Sequence, residues 1–300
     1  MFAQFLPQLV TQLTEATSIA LAQNIQQQAI ATPLSPEAIA TTYVRQGSGD
    51  PILLIHGFDS SLLEFRRLLP LLAEKHQTWA VDLFGFGFTE RVAGVKVSPD
   101  TIKTHLYYFW KTLIQKPVVL VGASMGGAAA IDFTLTYPDA VQKLVLIDSA
   151  GMSGGSAMSK YMFPPLDTLA TAFLRNPRIR NSISRAAYKN KTLASIDAQL
   201  CAALHLESPQ WSQALIAFTK SGGYSSFKKR LDQIQPPTLI LWGKDDRILG
   251  TTDAYRFKRA IVQSQLIWIK DCGHVPHLEQ PQVTAKHILE FVASTLPCDQ

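Results

Sequence analysis

Residues Val118-Val119-Leu120-Val121-Gly122-Ala123-Ser124-Met125-Gly126-Gly127 read as an apolar strand, a Gly-x-Ser-x-Gly turn and the first turn of a helix that continues through the small residues Ala128 to Ala130. A serine placed between a buried strand and a helix sits on a sharp turn. The residues two before and two after it must then be small, because neighbouring backbone segments pass close by. Gly122 and Gly126 meet that need. The helix start beyond the serine also turns backbone N–H groups toward any negative charge that develops on a nearby oxygen. A second match, Gly151-Met152-Ser153-Gly154-Gly155, follows another apolar run, but it continues through Ser156, Lys160, Pro164 and Pro165 with no helix opening on the serine. Context therefore selects Ser124 over Ser153.

Working outward from this turn, short runs rich in Val, Ile and Leu recur at Pro51–His56, Thr78–Leu83, Val118–Gly122, Leu144–Ile147, Thr238–Trp242 and Leu266–Ile269. Runs apolar on both faces are the mark of buried parallel strands. Helical patterns at 60–75, 98–115, 125–137, 251–262 and 280–296 separate them, so the rhythm is β-α-β and the class is α/β, a doubly wound, mostly parallel sheet. The rhythm fails once, between Ile147 and Thr238, where residues 156–233 read as helical. An insertion after a strand lands at the carboxyl edge of the sheet, where ligands bind in open α/β folds, so this segment is expected to roof the site as a cap. Residues 8–31 space Leu9, Val10, Leu13, Ala20, Leu21 and Ile25 as an amphipathic helix packed on the body of the protein. The expected organisation is an N-terminal helix and linker over 1–36, a core over 37–151 and 236–300, and a cap over 152–235.

Serine is a weak nucleophile until a base takes its proton, and the base needs a carboxylate to orient it. Among seven histidines, His274 in Asp271-Cys272-Gly273-His274-Val275-Pro276 follows the last strand and so lies at the edge where Ser124 must lie. His277 is the second choice, while His56, His76, His105, His205 and His287 read as bracing, packing or surface residues. The acid is expected after a neighbouring strand, in Trp242-Gly243-Lys244-Asp245-Asp246-Arg247. Asp246 is preferred, with Asp245 and Asp148 as alternatives. The loop Ile55-His56-Gly57-Phe58-Asp59 follows the first buried strand and brings a backbone N–H toward Ser124, so Phe58 and Met125 N–H are the expected oxyanion donors, supported by His56 and Gly57. Aromatic and sulfur-bearing side chains of the insertion, Tyr161, Met162, Phe163 and Trp211, together with Val275, are the expected pocket residues. This chemistry needs no metal or organic cofactor.

Composition bounds the alternatives. In 300 residues, 47% are hydrophobic and 17% charged, which supports a large core and excludes a disordered or fibrous chain. No apolar run reaches the roughly 18 residues of a membrane span. Three cysteines without metal-type spacing argue against a disulfide framework or a zinc site. The first basic residue is Arg45, so the N-terminus lacks the positive region of a secretion or mitochondrial signal, and the expected location is cytoplasmic. The net charge of +5 is uneven: residues 152–235 hold eleven Lys or Arg against four acids. Such runs are mostly solvated helix faces, and without base-reading motifs the expected partner is a small molecule and not nucleic acid. Contact with a membrane surface is not indicated, since the N-terminal helix carries no Lys or Arg.

Together, Gly122–Gly126, His56-Gly57-Phe58, Asp82-Leu83-Phe84-Gly85-Phe86-Gly87, Trp242–Asp246 and Gly273-His274-x-Pro276-x-x-Glu279 resemble the α/β-hydrolase superfamily from about residue 40 onward, with most of the cap outside the match. The order Ser124, Asp246, His274 is the one this fold uses. Relatives that open epoxides or remove halides carry Asp where this chain has Ser124. Serine enzymes that cleave carbon–carbon bonds typically have Trp after the histidine and a glycine-rich oxyanion loop, where this chain has Val275 and Phe58-Asp59. The resemblance thus implies a serine esterase-like enzyme, and the aromatic and Met-rich cap points to a lipophilic ester. The alternatives are cleavage of C–C, thioester or amide bonds, acyl transfer, or ligand binding without catalysis.

Overall fold

The computed structural model describes residues 1–154 and 166–294. Eight strands form one sheet: β1 (Gln26–Ile30), β2 (Ile39–Gln46), β3 (Pro51–Ile55), β4 (Gln77–Val81), β5 (Val118–Ala123), β6 (Val141–Ile147), β7 (Thr238–Gly243) and β8 (Ser264–Ile269). Their order is β1-β2-β4-β3-β5-β6-β7-β8; β3 to β8 are parallel, and β2 runs antiparallel to both of its neighbours.

The central strands are apolar throughout because both faces are covered. Leu53, Ile55, Leu120, Leu144, Leu146 and Ile240 pack into one layer. Their neighbours one residue along, such as Ile52, Leu54, Val119, Val121, Val145 and Leu239, pack into the other. The alternation follows from the two-residue repeat of a strand.

The connecting helices are α1 (Ala16–Gln23), α2 (Leu69–Ala73), α3 (Pro99–Phe109), α4 (Met125–Thr136), α5 (Leu166–Arg175), α6 (Pro177–Ala187), α7 (Ile196–Cys201), α8 (Trp211–Lys220), α9 (Thr252–Ala260), α10 (Pro276–Glu279) and α11 (Pro281–Ala293). Start signals are visible where they matter: Ser98 and Thr101 cap α3 reciprocally, with Pro99 following. The stretch 60–75, read as one helix, is a short turn at Leu62–Phe65 and then α2. Helices α5 to α8 all lie between β6 and β7, in the segment where the strand rhythm lapses. No helix among the described residues is long and apolar enough to cross a membrane.

The N-terminal expectation is corrected. Instead of one helix over 8–31 there is a 3₁₀ turn (Gln8–Gln12), then α1, then β1. Of the spaced apolar residues Val10, Leu13, Leu21 and Ile25 are buried, while Leu9 and Ala20 are exposed, so the inward set is shared among three elements and does not form one helical face. Gln26 to Gln28 have no apolar face and join the sheet through their backbone, in register with Tyr43 to Thr41. Strand β2 carries no continuous apolar run in sequence, because its buried Thr41 and Thr42 break the pattern. Residues 1–36 are therefore continuous with the core, since the β1–β2 pair spans the expected boundary. Cys201 and Cys272 are buried free thiols.

Candidate active site

Ser124 stands between β5 and α4 with φ of 52° and ψ of −120°, a conformation that side-chain-bearing residues rarely adopt. The surrounding backbone holds it there. Ser124 N–H donates to Ile147 O at 2.9 Å, and Ser124 O accepts from Ala150 N–H at 2.9 Å and Gly127 N–H at 3.0 Å. A Cβ on Gly122 would stand 2.3 Å from Gly126 O, and one on Gly126 would stand 2.2 Å from Ile55 O and 2.5 Å from His56 O. Glycine at both positions is thus a packing requirement set by backbone, which cannot move aside.

The loop after β8 brings His274 over this turn. Its Nε2 lies 3.0 Å from Ser124 Oγ, and its Nδ1 lies 2.9 Å from Asp246 Oδ2. Asp246 Oδ1 accepts from Ile248 N–H at 2.7 Å and Leu249 N–H at 3.1 Å, which fixes the carboxylate after β7. Burial is the largest influence on the Asp246 pKa and pushes it up, but the hydrogen bond and charge of His274, with those N–H groups, outweigh it and leave it below the usual carboxylate value. Asp246 thus remains ionised beside the imidazole.

The other sequence candidates fall elsewhere. Asp245 pairs with Lys189 at the surface. Asp148, fully buried at the end of β6, accepts from Gly243 N–H at 3.0 Å, and burial followed by the charge of Asp246 raises its pKa well above normal. Asp148, Asp246 and His274 place ligand-type atoms within 4.8 Å of one another, a spacing that hydrogen bonding within the cluster accounts for. Ser153 faces Asp253 on the surface. His277 is buried with Nε2 3.0 Å from Glu64 Oε1.

The loop at 56–59 lies against the serine: a Cβ on Gly57 would be 3.4 Å from Ser124 Cβ. His56 braces the loop, with Nδ1 donating to Gly57 O at 2.8 Å and Nε2 accepting from Leu83 N–H at 3.1 Å, and burial lowers its pKa to about 4, so the ring is neutral. The Phe58 ring packs against Phe86 and Phe218, at 6.1 and 6.0 Å between centroids. Trp211, expected in the pocket, is buried and donates its indole N–H to Asp59 at 2.7 Å. Val275 packs beside the Tyr188, Ala194 and Leu278 cluster. Tyr161, Met162 and Phe163 lie outside the described residues.

Three carboxylates that sequence reasoning did not assign hold these loops. Glu279 accepts from Gly273 N–H at 2.7 Å, Lys189 N–H at 3.0 Å and Asn190 N–H at 2.6 Å, tying the histidine loop to the insertion. His274 N–H makes the same connection by donating to Ala187 O at 2.7 Å. Glu64 accepts from Gly57 N–H at 3.0 Å. Burial would raise the Glu64 carboxyl, but His277 beside it and this N–H hold it at about 2. Asp59 is the third, and its bonds cross to the insertion. In the sequence, Glu279 shows only in the Gly273-x-x-x-x-x-Glu279 spacing and Asp59 only as a member of the oxyanion loop, with no role attached to either.

Comparison with known proteins fits this geometry. A plant protein named alpha/beta hydrolase domain-containing protein VTE7, from Arabidopsis thaliana, is 32% identical over 98% of this chain and 92% of its own length. The 2-hydroxy-6-oxo-2,4-heptadienoate hydrolase of Pseudomonas putida is 27% identical over 83% of this chain and 91% of its own. A thermophilic esterase from Thermogutta terrifontis, solved with malate bound, superposes with a TM-score of 0.77 at 25% identity, over 89% of this chain and 98% of that one. The family described as alpha/beta hydrolase fold matches residues 50–281, from the first residues before β3 to the start of α11, and with sheet order, elbow and matched span in agreement, this chain belongs to the alpha/beta hydrolase fold family.

Proposed function

We propose that this chain hydrolyses carboxylic esters through an acyl-enzyme on Ser124. The observation that carries the reading is the continuous hydrogen-bonded line from Ser124 Oγ through His274 to Asp246, at 3.0 and 2.9 Å. His274 Nε2 takes the hydroxyl proton as Oγ attacks the ester carbonyl carbon, and Asp246 stabilises the imidazolium through Nδ1–H. The negative oxygen of the tetrahedral intermediate is met by Met125 N–H at the start of α4 and by Phe58 N–H. Its collapse breaks the C–O bond, and His274 returns the proton to the departing alcohol. Water, deprotonated by the same imidazole, then releases the acid and restores Ser124.

The insertion over 152–235 is read as the cap of this site. Phe58, Phe86 and Phe218 form an apolar cluster at the proposed oxyanion loop, which favours a lipophilic acyl or alcohol group. The test is hydrolysis of p-nitrophenyl esters from short to long acyl chains, with Ser124→Ala in parallel. Turnover is expected to fall by about 10⁴-fold or more in the variant. Absence of turnover on every ester, with no labelling of Ser124 by a fluorophosphonate, would refute the reading. A second reading, carbon–carbon cleavage of a dienoate, is favoured by the likeness to the Pseudomonas putida hydrolase. Consumption of a 2-hydroxy-6-oxo-dienoate at a higher kcat/KM than any ester would select it.

A further inference from the structure

Asp59 follows the proposed oxyanion donor Phe58 and is buried, with φ of 47°. Its carboxylate receives side chains from three separate elements of the insertion. Arg180 on α6 donates Nη1 to Oδ2 at 2.6 Å and Nη2 to the Asp59 backbone oxygen at 3.1 Å. Trp211 at the start of α8 donates Nε1 to Oδ1 at 2.7 Å, and His205 Nε2 lies 3.1 Å from the same oxygen. Burial alone would raise the Asp59 carboxyl, but His205, then Arg180 and Trp211, hold it at about 2, so it is ionised at any working pH. Arg180 also donates to Ala202 O at 2.7 Å, which locks α6 to the end of α7 at the same point.

The two halves of the loop therefore have different supports. Gly57 is held from the core by Glu64 and His56. The Phe58 ring is shared between Phe86 of the core and Phe218 of the insertion, while the Asp59 carboxylate is held from the insertion by Arg180, Trp211 and His205. A buried carboxylate that loses such donors leaves unpaired charge, so the insertion cannot lift without dragging or releasing the loop. From this geometry we propose that Asp59 is a positioning residue through which the insertion sets the Phe58 N–H, so that the oxyanion pocket is complete only while the insertion is seated. The proposal rests on the ester-hydrolase reading for its kinetic consequence, but the mechanical link stands on the contacts alone.

Asp59→Asn is the informative variant, because Asn accepts the left-handed backbone conformation and keeps the volume while removing the charge. Trp211→Phe removes one donor and keeps an aromatic ring, and Arg180→Gln removes the ion pair from the other side. With kcat counted per site titrated by fluorophosphonate, Asp59→Asn is expected to lose about 10-fold or more in kcat, with KM within about threefold. Inhibition by an alkyl trifluoromethyl ketone, whose adduct carries the oxyanion, should weaken by the same factor. Combining Asp59→Asn with Arg180→Gln should be no worse than Asp59→Asn alone, since both break one link. Hydrogen exchange followed by mass spectrometry should quicken together in residues 57–60 and in α6. An unchanged kcat per titrated site, a loss confined to KM, or faster exchange in the insertion with none in the loop would overturn the proposal. If the wild-type protein has no Ser124-dependent turnover, the ester reading fails and exchange alone decides: joint quickening upholds the link, and quickening of the insertion alone refutes it.

Discussion

Gly126→Ala tests whether the serine turn is confined by the neighbouring strand. The added Cβ would stand 2.2 Å from Ile55 O and 2.5 Å from His56 O, both backbone atoms at the end of β3. Ordinary contact begins near 3.4 Å, so α4 and the 55–57 backbone must part by about 1 Å. Neither side yields easily. Ile55 is a fully buried strand residue paired with Val81 and Gly122, and α4 is buried along almost its whole first half. Overpacking of this kind costs about 1–3 kcal/mol in stability. A displacement of about 1 Å between nucleophile and oxyanion donors lowers kcat by about 10²-fold. Stopped assays on a p-nitrophenyl ester, normalised to folded protein and paired with urea unfolding, separate the two effects. Gly154→Ala serves as the control, because a Cβ there meets nothing within 4 Å. If Gly126→Ala kept kcat within about twofold of wild type while folded, the elbow would have room that the structure denies, and the argument from backbone collision would fail.

Replacing Glu279 by Gln leaves one acceptor oxygen for three backbone N–H groups, so about 1–3 kcal/mol of stability should be lost, together with about tenfold in kcat as the His274 loop slackens; a thermal melt and a kcat that both match wild type would contradict this. Burial lowers the pKa of His105 to about 4, so an unfolded chain takes up a proton near 6.5 that the folded protein refuses until about 4. Stability from this residue is therefore present above pH 6.5 and is lost as pH falls from 6.5 to 4, at about 1.4 kcal/mol per pH unit. His105→Gln should show a correspondingly flatter acid limb in urea unfolding between pH 7 and 4, and parallel curves for the two proteins would refute the assignment. The buried Asp82, raised to about 7, acts in the opposite direction but cancels in the comparison.

What could be read from the chain follows from where the physical constraint lies. The central strands were visible because burial on both faces leaves nothing polar in Pro51–Ile55 or Val118–Ala123. The elbow was visible because backbone crowding admits only glycine at 122 and 126. Strand β1 was invisible because its membership depends on backbone pairing, and its exposed glutamines carry no periodic signal. Among three carboxylates near the sheet edge, Asp246 could be preferred but not separated from Asp148, because only the fold shows which oxygen faces the imidazole. Asp59 and Glu64 were unreadable for a further reason. Their partners sit far away in the chain, at Arg180, Trp211 and His277, and a carboxylate in a loop looks the same in sequence whether it meets water or a guanidinium.

The three glutamines of β1 have a consequence for handling the protein. They complete the hydrogen bonding along the outer side of β2, whose Thr41, Tyr43 and Val44 are buried. A chain cut at residue 36 would keep every residue of the Ser124 array and still expose β2 as an unpaired edge, the kind of surface on which sheets of separate molecules add to one another. The same cut would strip Thr14, Glu15 and Ser18 from the Asp197 carboxylate and leave it on the insertion without the donors that now surround it. The leading thirty residues thus act as a hem that closes this edge, and a clone trimmed to the apparent enzyme is expected to form inclusion bodies.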